Sequence, residues 1–347
     1  MKKILIVTDA WLPQINGVVT TMTKVVEHLK AKGFDIEVLH PGHFHTFPLP
    51  NYPEISVAWN FWDLRKKIEK IDPDFIHISV EGPLGITARH YCLEQKIPYT
   101  SAIHTKFPEY VYERFGIGLD VTNGLLKWFH NSAAKTLVNT QSHMDELTEN
   151  GFTDLVLWSR GFDSEIFYPE GYDPDNGYLL YVGRVAIEKN IEEFLKMKTH
   201  RKKVVVGGGP MLKTYKRKYK DVDFLGYKSG QDLADVYRKA SCFVFPSKTD
   251  TFGIVLIEAL ACGTPIAGFN VTGPKDIVIE GENGSLTDDN LNEAVERAVQ
   301  VNRETTFNSS KKYTWDQVAE QFISSLVPIK CFFSPLQTKI HLLEPQY

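Results

Sequence analysis

The sequence predicts an α/β protein built from two doubly wound halves, and three observations predict it. The chain has 347 residues, more than one hydrophobic core usually organises, so two domains are expected. Short β-branched runs alternate with segments of helical period, first from ILIVTD (4–9) and again from YLLYVGR at Tyr178. The runs lack polar alternation, as do parallel strands whose two faces are both covered by helices.

The elements follow in order. ILIVTD leads to an amphipathic stretch near 18–32, then IEVLHP (36–41), FIHISV (75–80), a helical segment near 84–95 and YTSAIHT (99–105). The second half continues with KVVVGGG (203–209), VDFLG (222–226), CFVFPS (242–247), PIAGF (265–269) and GSLT (284–287). FYPEGYDPDNG (167–177), rich in Pro, Gly, Asp and Asn, reads as the join, which sets the domains at 1–168 and 169–310. KKYTWDQVAEQFISSL reads as a terminal amphipathic helix within 311–327, expected to pack back toward the first domain, and 328–347 has no clear period.

Bulk composition excludes several classes. With 39 basic and 43 acidic residues the net charge is −4, so no nucleic-acid surface is expected. No run of 18 apolar residues occurs, and MKKILIVTDAW has no signal-type apolar block, so a cytoplasmic protein is expected. Cys92, Cys242, Cys262 and Cys331 have no metal spacing and read as reduced, buried thiols. The Asp-x-Asp triplets at 72–74, 173–175 and 221–223 precede strands or fall in the join, so no catalytic divalent ion is expected.

In open α/β folds ligands sit beyond the carboxyl ends of the strands. SKTDTFGIVLIEALACGTPI (247–266) follows such a strand, and its apolar run predicts a helix from about Gly253 to Cys262, closed by Gly263 and stopped before Pro265. Asp250 then lies in the loop and Glu258 in the second turn, facing one crevice. The amides of Thr251, Phe252 and Gly253 are first-turn donors that suit a phosphate or a sugar hydroxyl. Equally, Asp250 can be a helix cap and Glu258 a paired buried acid.

LYVGRVAIEKN (180–190) offers Arg184 and Lys189 after a strand, two cations that fit a diphosphate, although solvated loop residues read the same way. DAWLPQINGVVTTM (9–22) makes Asn16 and Gly17 a second candidate phosphate loop, without the GxGxxG pattern of dinucleotide sites. VVVGGGP (204–210) is either a ligand loop or a tight turn. His104 in SAIHTKFPEY and Glu81 in HISVEGPLG also end strands. AWNFWDLRKKIEK (58–70) joins Trp59 and Trp62 to Arg65, Lys66, Lys67 and Lys70, and LKTYKRKYK (212–220) adds a second basic patch. Aromatic and basic residues together suit an anionic membrane surface. The competing reading is a core stripe of Phe61, Leu64, Ile68 and Ile71 with solvated lysines.

The set NGVV (16–19), HTKFPEY (104–110), GRVAIEKN (183–190) and TDTFGIVLIEALACGTP (249–265), in that order and spacing, resembles the retaining glycosyltransferases of family four over about residues 1–325. The stretch 155–163, ending LWSRGFD, recurs in the GDP-mannose-dependent α-mannosyltransferases and the related glycosyl and sulfoquinovosyl diacylglycerol synthases. The resemblance implies a GT-B fold of two facing Rossmann-like domains with a cleft between them. It implies transfer of a hexose from a nucleoside diphosphate to an acceptor hydroxyl with the anomeric configuration kept, without a metal or other cofactor.

By the same resemblance, Glu258 matches the ribose-binding second acid of the family's E-x7-E motif. Asp250 stands where the first acid, more usually Glu, touches the transferred sugar. Arg184 and Lys189 match the pyrophosphate pair, Gly17 the amino-terminal glycine loop and His104 the sugar-contacting histidine. The base pocket is expected around Tyr227. The implied partners are a nucleotide-sugar donor and a lipid or glycolipid acceptor at a membrane surface. A UDP-glucose, UDP-glucuronate or UDP-sulfoquinovose donor with a diacylglycerol acceptor is the rival reading. A non-catalytic sugar-nucleotide-binding protein is the rival from another class, and His104, Arg184, Lys189, Asp250 and Glu258 occurring together argue against it.

Overall fold

The computed structural model describes residues 2–14, 16–49, 52–104, 118–171, 177–248, 250 and 252–329. Of the sequence expectations, Thr251, residues 105–110, residues 172–176 of the join, Cys331 and the tail from 330 lie outside the described residues. The chain divides into two compact units: 1–137 with 148–156 and 322–347, and 138–147 with 157–321.

In the first part of the chain the elements are β1 (Lys3–Val7), α1 (Gly17–Ala31), β2 (Asp35–Leu39), β3 (Thr46–Leu49), β4 (Tyr52–Ala58), α2 (Leu64–Ile71), β5 (Phe75–Ile78), α3 (Pro83–Glu94), β6 (Thr100–Ile103), α4 (Leu119–His130), β7 (Lys135–Val138), α5 (Gln141–Glu149) and β8 (Leu155–Leu157). Helix α1 begins where Asn16 Oδ1 accepts the Val19 amide at 3.0 Å. It buries Val19, Met22, Val25, Val26 and Leu29, one face at helical spacing. It ends in Gly33 at φ +86°, with Phe34 N–H bonded to the Leu29 carbonyl and Gly33 N–H to that of Lys30.

The sheet runs β2-β1-β5-β6-β7-β8, and the β1–β2, β1–β5 and β5–β6 pairs are parallel. Its order reverses between β1 and β5, so the crevice at their carboxyl ends is the place for a ligand. Leu5, Val7, Ile76 and Ile78 join one core cluster. Ile4 and Ile6, one residue out of phase, are buried as well, which is why the strand shows no polar alternation.

The second unit contains β9 (Tyr178–Val182), α6 (Ile191–Lys196), β10 (Lys203–Val206), α7 (Leu212–Lys218), β11 (Val222–Gly226), α8 (Gly230–Arg238), β12 (Ala240–Phe245), α9 (Ile254–Ala261), β13 (Ile266–Phe269), α10 (Pro274–Ile277), β14 (Gly284–Thr287), α11 (Leu291–Ala298) and α12 (Arg303–Ser310), and α13 (Trp315–Ser325) follows. Its sheet is parallel in the order β11-β10-β9-β12-β13-β14. The switch point falls between β9 and β12. Leu180, Val182, Val204, Phe243 and Phe245 pack in one core cluster. Leu179, Tyr181, Val205, Cys242 and Val244 pack in another. Alternate residues thus feed two apolar layers, the physical content of a doubly wound sheet.

Four features differ from the sequence reading. The antiparallel β3–β4 hairpin and the short strands β7 and β8 were not expected. The terminal helix is narrower, Trp315–Ser325. In the stretch 58–70, Leu64 and Ile68 are buried as a core stripe demands, but Phe61 is 39% exposed. Arg65 is engaged by Glu69 at 3.2 Å and Glu94 at 3.0 Å, so it contributes little to a free basic patch. Cys92, Cys242 and Cys262 are buried free thiols. Among the described residues no helix is long and apolar enough to cross a membrane.

Candidate functional site

At the switch point of the second sheet the loops after β9, β10 and β11 surround a cavity of about 530 Å3, whose lining includes Gly183, Arg184, Gly207, Tyr227, Leu233 and Glu258. The glycines are there because the backbones nearly touch. A Cβ on Gly207, at φ +130°, would stand 1.9 Å from the Gly183 carbonyl oxygen. The gap is closed by bonds from Gly183 N–H to the Val206 carbonyl at 3.0 Å and from Val185 N–H to that of Gly208 at 2.8 Å. Tyr181 Oη donates to the Arg184 carbonyl at 2.8 Å and fixes the turn. The guanidinium remains 65% exposed, 3.5 Å from Glu188.

Helix α9 delivers Glu258 to the same cavity. Its end is fixed by Gly263 at φ +68°, with Thr264 N–H on the Ala259 carbonyl and Gly263 N–H on that of Leu260, the double bond of a glycine cap. Tyr237 Oη donates to Glu258 Oε2 at 3.2 Å. Burial pushes the Glu258 carboxyl up to about 7, and this one hydrogen bond opposes it. Arg184 and Glu258, 74 residues apart in the sequence, therefore share a cavity. The exposed ring of Tyr227 and the Lys228 and Ser229 that follow it form another part of its wall.

The other expected residues of this unit group differently. Lys189 Nζ bonds Asp250 Oδ1 at 2.5 Å, and neither side chain lines the 530 Å3 cavity. The loops that carry them are joined a second time by Asn190 Nδ2, which donates to the Pro246 carbonyl at 3.1 Å. Asp250 and Glu258 thus have separate partners, against the expectation of one shared crevice wall. Phe252 is a core residue, buried against Tyr313, and it lines a separate cavity of about 180 Å3. Gly253 caps α9 at φ +81° with no side-chain cap.

In the first unit the carboxyl ends of β1, β5 and β6 gather Asp9, Ser79, Glu81 and His104. His104 Nε2 lies 3.4 Å from Ser79 Oγ. Asp9 accepts the amides of Leu84 at 3.0 Å and Gly85 at 3.1 Å, the first turn of α3. Burial raises it to about 6, backbone bonds to those two residues hold it back, and the charge of Glu81 adds to the rise. A Cβ on Gly82 would meet Asp9 Cγ at 2.4 Å, so glycine makes room for that carboxylate. Glu81 Oε1 lies 2.9 Å from His130 Nε2. Asn16 spends its amide oxygen on the α1 cap, whereas a Cβ on Gly17 would meet nothing within 4 Å.

Asp9, His130 and Tyr237 were not singled out in the sequence. Asp9 had a signal, an acid directly after the first strand, whereas His130 and Tyr237 sit in helices and look like ordinary core residues.

A family model described as Glycosyltransferase Family 4 matches residues 15–166, and one described as Glycosyl transferases group 1 matches residues 163–305. The chain is 30% identical over 317 residues to a GDP-mannose-dependent alpha-mannosyltransferase of Corynebacterium glutamicum, covering 82% of this chain and 76% of that protein. It is 25% identical over 320 residues to an alpha-monoglucosyldiacylglycerol synthase of Acholeplasma laidlawii, covering 75% of this chain and 78% of that protein. Among solved structures, sucrose-phosphate synthase from Thermosynechococcus elongatus matches with a TM-score of 0.71 at 19% identity, over 93% of this chain and 98% of that one.

Proposed function

This chain belongs to glycosyltransferase family four, with the GT-B fold, and from that premise we propose that it moves mannose from GDP-mannose to an acceptor hydroxyl with the anomeric configuration kept. One observation carries the reading: Arg184 and Glu258 line one cavity at the switch point of the second sheet. A carboxylate there accepts hydrogen bonds from a ribose diol, and a guanidinium beside a glycine turn donates two parallel hydrogen bonds to a diphosphate. The base stands against the wall that includes Tyr227.

The Lys189–Asp250 pair fits the same reading. Lys189 exchanges its carboxylate for the diphosphate when donor enters, and Asp250, released, takes hydroxyls of the hexose. In the transfer the anomeric carbon loses its bond to the β-phosphate oxygen and gains one to the acceptor oxygen. The acceptor proton passes to that phosphate oxygen. Arg184, Lys189 and the first-turn amides of α9 stabilise the charge that grows on the leaving group, a role a metal takes elsewhere. The acceptor is a lipid or glycolipid, which the enzyme meets as a peripheral protein on the cytoplasmic face of a membrane.

The name of the Corynebacterium glutamicum relative favours GDP-mannose as donor. The name of the Acholeplasma laidlawii relative supports a second reading, a glucosyl donor with diacylglycerol as acceptor. Incubating the purified chain with GDP-mannose, UDP-glucose and UDP-glucuronate, each with total lipid extract, distinguishes them. GDP release above the lipid-free rate is expected. Release of UDP alone selects the second reading, and no release from any donor overturns both.

A further inference from the structure

At the carboxyl end of β5, Glu81 is only a quarter exposed, and its side-chain partner among the described residues is His130, 99% buried at the end of α4. Behind His130 a buried hydroxyl chain continues. Ser101 Oγ lies 2.8 Å from His130 Nδ1 and 3.0 Å from Thr136 Oγ1, and Thr136 donates to the His130 carbonyl at 3.3 Å. With the Thr136 proton used there, Ser101 donates to one of its two neighbours. Either choice leaves Nε2 as the ring nitrogen that faces Glu81.

This arrangement uses three buried polar side chains to orient one partly exposed carboxylate just beyond the carboxyl end of β5. A surface acid needs no such support. Glu81 also lies close enough to Asp9 for its charge to add to the rise of that carboxyl. We propose that His130 is a positioning residue for acceptor recognition: it holds Glu81 by one oxygen so that the other accepts a hydrogen bond from a hydroxyl of a polyol headgroup on the acceptor. The assignment rests on the hexosyl-transfer reading and specifies the acceptor side of it. A carboxylate at that place selects an acceptor that carries hydroxyls beyond the one that reacts, a sugar or cyclitol head rather than bare diacylglycerol.

The test measures donor-dependent nucleotide release against total polar lipid extract, and GDP-mannose binding by calorimetry, for the parent chain, His130→Leu, His130→Gln, Glu81→Gln and the double variant His130→Leu with Glu81→Gln. Loss of one charge-assisted hydrogen bond predicts an increase in the half-saturating extract concentration on the order of tenfold in His130→Leu and in Glu81→Gln. The donor dissociation constant should stay within about twofold, because neither residue lines the donor cavity. The double variant should add nothing further, since both changes remove the same interaction. His130→Gln, which keeps a side-chain N–H, should recover much of the loss. If His130→Leu fails to fold, Glu81→Gln, a change at a partly exposed position, carries the test alone. An unchanged half-saturation in Glu81→Gln, or equal weakening of donor and acceptor, overturns the assignment. Absence of turnover in the parent chain overturns the transfer reading itself, and this assignment with it.

Discussion

Glu258 is the residue whose environment says most. Its folded-state pKa of about 7 lies above the ordinary carboxyl value of 4.5, because burial disfavours the charged form more than the Tyr237 hydroxyl favours it. The sign follows directly. A raised acid contributes stability that is complete below its unfolded pKa and is lost as pH rises through the folded value. Thermal stability of the ligand-free protein should therefore decline between about pH 5 and pH 8, and Glu258→Gln should flatten that slope. Affinity for a nucleotide sugar should move the opposite way, rising across the same window as the stronger acceptor appears. The donor's own diphosphate does not titrate there when it is a diester, so GDP-mannose rather than GDP is the ligand to use. An affinity independent of pH in the parent chain removes Glu258 from the ribose. Arg184 makes a second residue-scale prediction. Exposed and bonded only weakly to Glu188, it is not needed for the fold. Arg184→Ala should leave the melting temperature unchanged while turnover falls on the order of 100-fold, with a smaller change in donor affinity. Near-native turnover refutes its place on the leaving group.

Among the elements, two glycines at strand-to-helix turns separate structure from function. Gly207 is demanded by the fold, since any Cβ collides with the Gly183 carbonyl. Gly207→Ala should cost on the order of 2 kcal/mol or more of stability by chemical denaturation and lose donor binding with it. Gly17 is not demanded by the fold, since its Cβ would meet open space at the start of α1. Gly17→Ala should raise the melting temperature slightly, through a gain of up to about 1 kcal/mol in helix propensity. If substrate approaches that turn, the same change should depress transfer, and a variant both more stable and fully active argues against contact at Gly17. These elements also mark what the sequence made legible. Ten strands were readable, the clearest being those with both faces buried, as in β9 and β12, whereas β2 and β11 carry exposed positions and stood out by their place in the β–α alternation. The hairpin was not, since Pro48 and Pro53 interrupt it, and β7 and β8, of four and three residues, are too short to display a period. At the site, the α9 helix with its glycine stop was legible because caps are local chemistry. The Glu81–His130 and Lys189–Asp250 pairings were not, because they join residues 49 and 61 positions apart that only the folded sheets bring together.

For the molecule as a whole, net charge bears on the proposed encounter with a lipid acceptor. A net charge of −4 gives no global attraction to an anionic bilayer, so association has to come from a local patch. One such patch among the described residues is in the first unit, where Trp59 and Trp62 are 51% and 56% exposed and meet edge to face at 5.5 Å. Exposed indoles of this kind partition into the headgroup region, and nearby lysines add attraction to anionic lipid. The patch is less basic than its sequence, because Arg65 is held by Glu69 and Glu94. The basic run on α7 is blunted in the same way, with Lys218 held by Glu192. Binding should therefore be led by the aromatics and only moderated by charge. In co-sedimentation with vesicles containing anionic lipid, the chain should bind, and high salt should reduce that binding without abolishing it. The double change Trp59→Ala with Trp62→Ala should reduce it more than salt does, with GDP-mannose affinity unaffected. Binding that salt abolishes and the tryptophans do not influence would move the membrane contact elsewhere, and no binding under either condition would remove the bilayer from the reaction, leaving a water-soluble acceptor.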